Sequence, residues 1–348
     1  MRRSKGFGRR LLWTVLILLF AAAALFAIPT SYIAYEPGMA VDASSMVDTP
    51  EKEDREGRFL FTTVRWSYAN WFKVAEARWN RNVELLEKSV VFGGADREEY
   101  NSRQTYSMTS SHANAKEAAY RALGIPYQVK EEGVVVVGVL EESGADGLLK
   151  PGDRIVSADG IEIVNGADLS RLLKGKQEGD ILQVAYIRDG KTGTAEVRLG
   201  TLPDSFPPRL GIGISYVEIR QVSSDDPAMQ VSMHSTDIGG PSAGLMFALE
   251  IYNQLSDQNI TRGYTVAGTG EITADGAVMP IGGVEHKVVA ADREGAQLFF
   301  VPEANAEAAA RKAAEIGTYM EIVPVSSLEE ALHHLAALPA NDVRTGGV

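Results

Sequence analysis

The sequence predicts an α+β protein of several domains: an N-terminal transmembrane helix, a β-rich domain and a C-terminal α+β domain. Three observations support this fold class. Five bases within the first ten residues precede an unbroken apolar run from Leu11 to Ile28. Short strand-like segments separated by glycine-bearing turns fill residues 120–200. Beyond residue 207, two Gly-Gly turns each lead into a helical pattern.

The composition limits the chemistry and the partners that the chain can have. The 348 residues are 45% hydrophobic and 23% charged, which suits roughly two or three globular domains. With no cysteine, the chain has no thiol catalysis, no disulfide and no Cys-based zinc site. The five histidines show no metal-ligand spacing, so neither a metal nor another cofactor is expected. A net charge of -12 argues against nucleic acid as a partner.

The apolar run predicts a transmembrane anchor at residues 11–33, behind a cytoplasmic basic tail at residues 1–10. At about 1.5 Å per residue, a helix over this run covers a hydrocarbon core of about 30 Å. A cleaved signal peptide is the alternative, although its apolar core is usually only about 7–15 residues long. Because bases precede the run and Glu36 and Asp42 follow it, we expect a single-pass cell-membrane protein with an extracytoplasmic catalytic domain. The lipid bilayer is then one of its partners.

Residues 34–119 are predicted to be an extracytoplasmic connecting segment. Arg58–Trp66 has the pattern of a strand, whereas Val74–Val90 and Ala113–Leu123 have helical patterns. No motif in this segment indicates a chemistry.

Residues 120–200 have the pattern of a small β-rich domain. Gly133–Leu140 predicts a buried strand, Asp159-Gly160 and Asp189-Gly190 predict hairpin turns, and a helix is expected around Ala167–Leu173. The string LKPGDRIVSADG that ends at Gly160 resembles the PDZ domain of bacterial proteases. This resemblance implies a groove that receives an extended peptide as an added strand. A β-rich domain without a ligand is the alternative. Residues 207–214 are expected to form a linker.

Ser242 lies where a Gly-Gly-Pro turn meets an amphipathic helix pattern. Free N–H groups at a helix N-terminus could hold the oxyanion of a tetrahedral intermediate, so the turn residues Gly240 and Pro241 and the following Ala243 and Gly244 are candidate oxyanion-site residues. Small residues at 243 and 244 would also let a substrate backbone approach closely. The same pattern fits an ordinary helix N-cap.

Lys287 is the candidate base for this serine. It follows a second Gly-Gly turn and lies among Val284, Val288, Val289 and neighbouring alanines. Desolvation in such apolar surroundings would lower the pKa of an amine towards neutrality. A lysine on the solvated face of a helix is the alternative.

The two strings together, IGGPSAG and IGGVEHKVVAA, resemble the proteolytic domain of the Lon protease family. The resemblance implies a catalytic dyad of Ser242 as nucleophile and Lys287 as general base, with Thr269 near the lysine. It implies a Lon-type domain at residues 207–340. Gly239 differs from the Asp that many Lon proteins carry three residues before the serine. The order of anchor, PDZ and Lon-type domains is similar to the membrane-anchored PDZ–Lon proteases of bacteria.

Taken together, these patterns predict a membrane-anchored serine endopeptidase that cleaves flexible segments of exported or membrane proteins. The chain contains no GxxxxGK[ST] phosphate-binding loop, so cleavage is expected to proceed without ATP. The expected substrates are peptides or proteins with extended segments, recognised by the PDZ domain. The sequence leaves the oligomeric state open.

Two other functions fit parts of the same sequence. The string GPSAG also matches the GxSxG nucleophile elbow of α/β-hydrolases, with Asp292 and His333 as the other members of a triad. An elbow requires a strand that runs directly into the serine turn, whereas a loop separates Ser242 from the strand-like segment that precedes it. The second alternative is a membrane scaffold whose PDZ domain binds peptides while its Lon-like part is inert.

Overall fold

The structure is a computed structural model that describes residues 4–50, 55–93, 95, 97–202, 209–234 and 238–341. Of the predicted basic tail, residues 1–3 and the side chains of residues 4–8 and 10 lie outside the described part. The chain divides into two compact units, the first formed by residues 1–38 and 64–94 and the second by residues 39–63 and 95–348.

The first unit contains a long N-terminal helix, parts of two strands, and three short elements. Strands β1 and β3 run through both units. The elements are α1 (Ser4–Ala27), β1 (Pro29–Asp42), β3 (Arg58–Asn70), α2 (Trp71–Glu76), β4 (Glu84–Glu87) and α3 (Lys88–Phe92), while β2 (Val47–Asp48) belongs to the second unit. The predicted helix over residues 74–90 is therefore wrong for most of its length, because residues 84–87 pair with residues 32–35 of β1 as a strand.

The predicted anchor at residues 11–33 differs from the structure at both ends. Helix α1 begins at Ser4 and ends at Ala27, and residues 29–33 belong to β1. Pro29 disfavours a helical conformation at Ile28, and the β-branched and aromatic residues that follow, such as Tyr32 and Ile33, favour a strand.

Helix α1 leaves large apolar side chains exposed, including Trp13 at 57% and Phe20 at 78%. Among the described residues, which leave out the side chains at 4–8, 10, 11 and 21–24, none of the helices combines the length and hydropathy of a membrane span.

The second unit contains the remaining strands and helices. Its strands are β5 (Tyr127–Val139), β6 (Arg154–Ala158), β7 (Ile161–Glu162), β8 (Ile181–Arg188), β9 (Lys191–Arg198), β10 (Gly200–Leu202), β11 (Arg209–Gly211), β12 (Ile214–Ser224), β13 (Ser232–Met233), β14 (Thr265–Gly268), β15 (Glu271–Ile272), β16 (Val278–Met279), β17 (Leu298–Pro302) and β18 (Glu321–Val325). Its helices are α4 (Arg97–Leu123), α5 (Gly166–Leu172), α6 (Gly244–Leu255), α7 (Val284–Arg293), α8 (Ala306–Ile316) and α9 (Leu328–Ala337).

The main sheet of the second unit has the order β18-β17-β14-β3-β1, and the pairs β18-β17, β17-β14 and β14-β3 are parallel. Successive residues of β3 enter different cores: Phe59 and Phe61 pack in one cluster with α4, α6 and α9, and Leu60 packs in another with α7 and α8. A parallel strand buried on both faces explains the continuous apolar pattern at residues 59–61. Residues 39–63 and 97–123, parts of the predicted connecting segment, thus build the same core as the C-terminal helices.

The β-rich domain forms a second sheet with the order β12-β5-β6-β8-β9, in which β7 pairs with β6. We call it the PDZ-like sheet. Both predicted hairpin turns are confirmed, with positive φ angles at Asp159 and Asp189 and at the glycine after each. The helix predicted around residues 167–173 is α5, and the helix predicted to begin at residue 113 is longer and begins at Arg97.

The described part of the predicted linker at residues 207–214 contains residues of two strands, β11 and β12. Residues 203–208 lie outside the described part, and residues 209–211 form β11. Strand β12 then pairs antiparallel with β5 from Ile214 to Ser224 and forms the edge of the PDZ-like sheet. Helix α4 contacts both of these strands as well as α6.

Candidate active site

Ser242 lies in a tight turn directly before α6. Pro241–Ala243 form one 3-10 turn that continues into the helix at Gly244. Gly240 precedes the turn with a φ angle of 96°, a conformation that side chains with a Cβ rarely adopt. The Gly-Pro pair therefore fixes the direction from which the chain enters the helix and places Ser242 in the 3-10 turn that leads into it.

Two hydrogen bonds join this turn to helix α4. The N–H of Gly240 donates to the Gln104 carbonyl at 2.9 Å, and Ser111 Oγ donates to the Pro241 carbonyl at 3.0 Å. A Cβ at position 239 would lie 2.8 Å from Gln104 Cβ. This close contact with α4 leaves no room for a side chain at position 239.

A second segment fixes the serine backbone from the end of β14. Thr269 is fully buried, and its Oγ1 donates to the Ser242 carbonyl at 3.0 Å. The N–H of Gly270 donates to the same carbonyl at 2.8 Å, and the N–H of Thr269 donates to Phe300 of the neighbouring β17 at 3.0 Å. The serine carbonyl thus accepts two hydrogen bonds from a segment that is anchored in the main sheet.

Lys287, in the first turn of α7, reaches the serine. Its Nζ lies 2.6 Å from Ser242 Oγ and 2.9 Å from Thr269 Oγ1. The side chain is 3% exposed, and α7 packs in a core that includes Val284, Val288 and Ala291. Burial lowers the pKa of Lys287 from 10.5 to about 7. The amine can therefore lose its proton near neutral pH, as a general base must.

The hydrogen bonds fix how the amine is oriented. Thr269 Oγ1 has one proton, which it donates to the Ser242 carbonyl, so it accepts an N–H of Lys287. In the neutral amine this contact directs the lone pair towards Ser242 Oγ, whose proton then points at Nζ. The structure thus brings together the three residues predicted for catalysis and its support.

The residues predicted for the oxyanion site divide into two groups. The N–H of Gly240 is bonded to Gln104, Pro241 has no N–H, and the N–H of Gly244 donates to the Pro241 carbonyl within the 3-10 turn. These three residues shape the turn. Among the predicted residues, Ala243 is therefore the candidate donor to an oxyanion, together with the N–H of Ser242 itself.

The hydrolase triad does not form in the part of the chain that the structure describes. Ser242 Oγ is bonded to Lys287, whereas Asp292 is exposed on α7 and His333 is exposed on α9. The described residues directly before the turn, Ile238 to Gly240, are not part of a strand, so no strand enters the serine turn directly.

The peptide groove that the PDZ resemblance implies stays a prediction; the structure shows strand β12 paired with β5 and in contact with helix α5. Glu218 of β12 bridges the two elements, because its Oε1 accepts the N–H of Gly166 at 2.9 Å. Strand β12 is the last strand of its sheet among the described residues.

Sequence reasoning missed three residues of α4 that contact the catalytic segments: Gln104, Ser111 and Asn114. Asn114 Nδ2 donates to the carbonyl of Ile272, two residues beyond Gly270, at 2.9 Å. Ser111 and Asn114 contact the site with side-chain donors to backbone carbonyls, and no sequence motif is known by such contacts. The one available signal is that Ser111 and Asn114 are polar residues on a helix rich in buried alanines.

Two known families match parts of this chain. Residues 175–338 match the Lon protease (S16) C-terminal proteolytic domain, and residues 121–199 match the PDZ domain. The Lon protease of Azorhizobium caulinodans is 35% identical over 165 residues, which are 45% of this chain and 19% of that protein. The Lon protease of Rhizobium meliloti is 34% identical over 171 residues, which are 46% of this chain and 21% of that protein. The chain thus spans about a fifth of the length of these relatives.

Solved structures are also similar to part of the chain. The PDZ domain of an SdrC-like protein from Listeria monocytogenes is 28% identical and covers 26% of this chain and 93% of that one, with a TM-score of 0.24. A protein from Geobacillus thermodenitrificans is 35% identical over 25% of this chain and 98% of that one, with a TM-score of 0.23.

Proposed function

We propose that this chain, which carries a Lon-type serine protease domain and a PDZ domain, is an endopeptidase that cleaves flexible protein segments without ATP. The observation that carries the proposal is the 2.6 Å contact between Lys287 Nζ and Ser242 Oγ in a buried, apolar setting. An inert scaffold would not require a buried lysine aimed at a serine, because burying an amine costs stability and a purely structural site gains nothing from the altered pKa.

The geometry supports a two-step acyl transfer. Neutral Lys287 accepts the Oγ–H proton of Ser242 while Oγ attacks the carbonyl carbon of the scissile peptide bond. When the tetrahedral intermediate collapses, the C–N bond breaks and Lys287 gives its proton to the leaving amine. Water then attacks the ester on Ser242 with Lys287 again accepting a proton. Breakdown releases the carboxyl product and returns the proton to Oγ.

The proposed substrates follow from the energetics of unfolding and from the edge strand β12. A native domain is held by about 5–15 kcal/mol, and the sequence given contains no phosphate-binding loop of a nucleotide motor. Only segments that are already open would then reach Ser242. Pairing with β12 would supply backbone hydrogen bonds to such a segment and raise its concentration near the active site.

The purified chain should cleave an unfolded protein at least about 100-fold faster than the same protein in its folded form, because the folded form opens only rarely. Adding ATP and Mg²⁺ should change neither rate. Gel-based cleavage assays with a reduced, alkylated protein and its disulfide-intact parent measure both rates. Equal cleavage of the two forms, or dependence on ATP, would contradict the proposal.

Two variants serve as controls in the same assay. Ser242→Ala should remove the activity, which assigns it to this chain and not to a contaminant. Replacing both His333 and His334 with alanine should leave turnover within about twofold of wild type, because neither histidine takes part in the proton transfers. Loss of activity in the histidine variant would favour the hydrolase triad instead.

We further propose that the N-terminal segment holds the chain at the cell membrane, with the catalytic domain outside the cytoplasm. The proposal rests on the bases that precede the apolar run Leu11–Ile28 and on the exposed apolar side chains of α1. The full chain should stay in the membrane pellet after alkaline carbonate extraction, and protease added to intact spheroplasts should digest it. A variant that lacks residues 2–28 is the control. Release of the full chain by carbonate would refute the anchor.

A further inference from the structure

Helix α4 lies between the PDZ-like sheet and the catalytic segments, and one of its side chains contacts both. Asn114 Nδ2 donates to the Ile272 carbonyl of β15 at 2.9 Å. On the other side, Asn114 Oδ1 accepts a hydrogen bond from the Arg220 guanidinium of β12. The two ends of one carboxamide thus join the edge strand of the PDZ-like sheet to β15.

Strand β15 is the continuation of the segment that holds the dyad. Thr269 and Gly270, immediately before it, bind the Ser242 carbonyl, and Thr269 also accepts from Lys287. The carbonyl of Gly270 accepts the N–H of Leu245 at 3.0 Å, in the first turn of α6. A displacement of Ile272 would therefore move the groups that fix the serine backbone and the lysine amine.

Arg220 is itself held firmly. Its guanidinium also contacts Glu117 Oε2 at 3.2 Å, one helical turn beyond Asn114, and only 23% of its side chain is exposed. The planar guanidinium can bind two acceptors in fixed directions, which a lysine cannot do. Glu117 is in turn bonded to Tyr127 at 3.2 Å, at the start of β5. Arg220 therefore fixes the direction of the Asn114 amide.

We propose that Asn114 is a positioning residue for the Ser242–Lys287 dyad, and that Arg220 of the PDZ-like sheet keeps it in place. The inference deepens the proposed function, on which its kinetic test rests. It gives the PDZ-like sheet a second role beside peptide recognition, because the strand that would receive a peptide also supports the catalytic segment.

Asn114→Asp separates positioning from folding. The carboxylate keeps an acceptor for Arg220 but has no N–H for the Ile272 carbonyl. The variant should stay folded and melt within a few degrees of wild type, because the charge pair with Arg220 offsets the lost hydrogen bond, while kcat for a short reporter peptide falls about tenfold, the effect of one lost hydrogen bond. The KM should stay within about twofold, since Asn114 does not touch substrate. An unchanged kcat, or a loss that lies in KM, would overturn the proposal.

A double-mutant cycle tests the link to Arg220. If Arg220 acts through Asn114, Arg220→Ala should lower kcat in the wild-type background and have no further effect on Asn114→Asp. Effects that multiply would show that Arg220 acts separately. Arg121→Ala is the matched control: Arg121 lies on α4 and pairs with Glu117 at 3.5 Å, but it does not contact Asn114, so kcat should be unchanged.

Hydrogen exchange gives a readout that needs no turnover. In Asn114→Asp, the amides of residues 269–272 should exchange several-fold faster than in wild type, whereas those of the distant strand β9 should not change. Unchanged exchange at 269–272 would overturn the proposal even if the chain proved not to be a protease. Inactivity of the wild-type chain on peptides, in contrast, would count against the proposed function alone.

Discussion

Replacing Lys287 with methionine should abolish peptide hydrolysis and, at the same time, stabilise the folded chain at mildly acidic pH. The loss of activity is expected to be about 10²- to 10⁴-fold, the usual contribution of a general base. Methionine fills a similar volume in the apolar surroundings of α7 but cannot accept the proton of Ser242. The hydrogen bonds from Thr269 and Gly270 to the Ser242 carbonyl do not involve Lys287, so the serine should keep its place.

The gain in stability follows from the lowered pKa of Lys287. In the unfolded chain this amine keeps its proton up to about pH 10.5, whereas in the folded chain it loses the proton at about 7. Below pH 7 both states are protonated, and the folded state carries the full cost of a buried charge, about 5 kcal/mol for a shift of this size. Between pH 7 and 10.5 the unfolded state binds more protons, so wild-type stability rises with pH and the cost disappears.

Denaturant unfolding of the inactive Ser242→Ala chain, with and without Lys287→Met, measures this difference without self-digestion. The free energy of unfolding should rise by several kcal/mol near pH 6, and the gain should shrink towards pH 10. Lys312→Met is a matched control, because Lys312 is also buried, at 5% exposure, but pairs with Glu315 on α8. In an otherwise wild-type chain it should leave turnover unchanged. A destabilised Lys287→Met variant would mean that the lysine is structural.

The catalytic residues could be predicted because their signals are local in the sequence. The Gly-Pro pair before Ser242 specifies its own turn, and the apolar neighbours of Lys287 predict the burial that lowers its pKa. The pairing of the two, however, came from a family resemblance and not from spacing. No pattern in the residues between them predicts that α6 and α7 begin at the same end of β14.

The support from α4 could not be predicted in the same way. Asn114 and Ser111 act on backbone carbonyls of segments more than a hundred positions away. Hydrogen bonds of this kind depend on how helices pack, so no characteristic residue spacing in the sequence predicts them. Strand β3 has a strand pattern in the sequence, but its parallel partner β14 is distant in the chain, so its place in the main sheet could not be predicted. Strand β1 lies beside β3 and is predicted from the sequence as part of an anchor and a connecting segment, because only β3 has a run apolar enough to suggest burial.

The rate of hydrolysis should rise with pH as Lys287 loses its proton. With a pKa of about 7, the fraction of neutral amine near pH 6 is about a tenth of its value on the plateau above pH 8, and near pH 5 about a hundredth. The kcat/KM for an uncharged reporter peptide should fall by the same factors, because this ratio reports the ionisation of the free enzyme. A rate independent of pH between 5 and 8 would exclude Lys287 as the base.

Other titratable groups near the site must be separated from the lysine. Burial lowers the pKa of His112 to about 4, so His112 stays neutral across the rising limb. Two other groups lie near the lysine: His286, which precedes it and is buried, and Glu271 on β15, whose pKa is raised by burial. Neither accepts the proton of Ser242, so His286→Gln and Glu271→Gln should each leave the midpoint of the limb in place.

Thr269→Val should move the midpoint of the limb. Without Oγ1 the charged amine loses an acceptor, the pKa of Lys287 falls further, and the limb shifts to lower pH while the plateau rate drops. If the midpoint shifted in either glutamine variant but stayed unchanged in Thr269→Val, the titrating group would not be the dyad lysine.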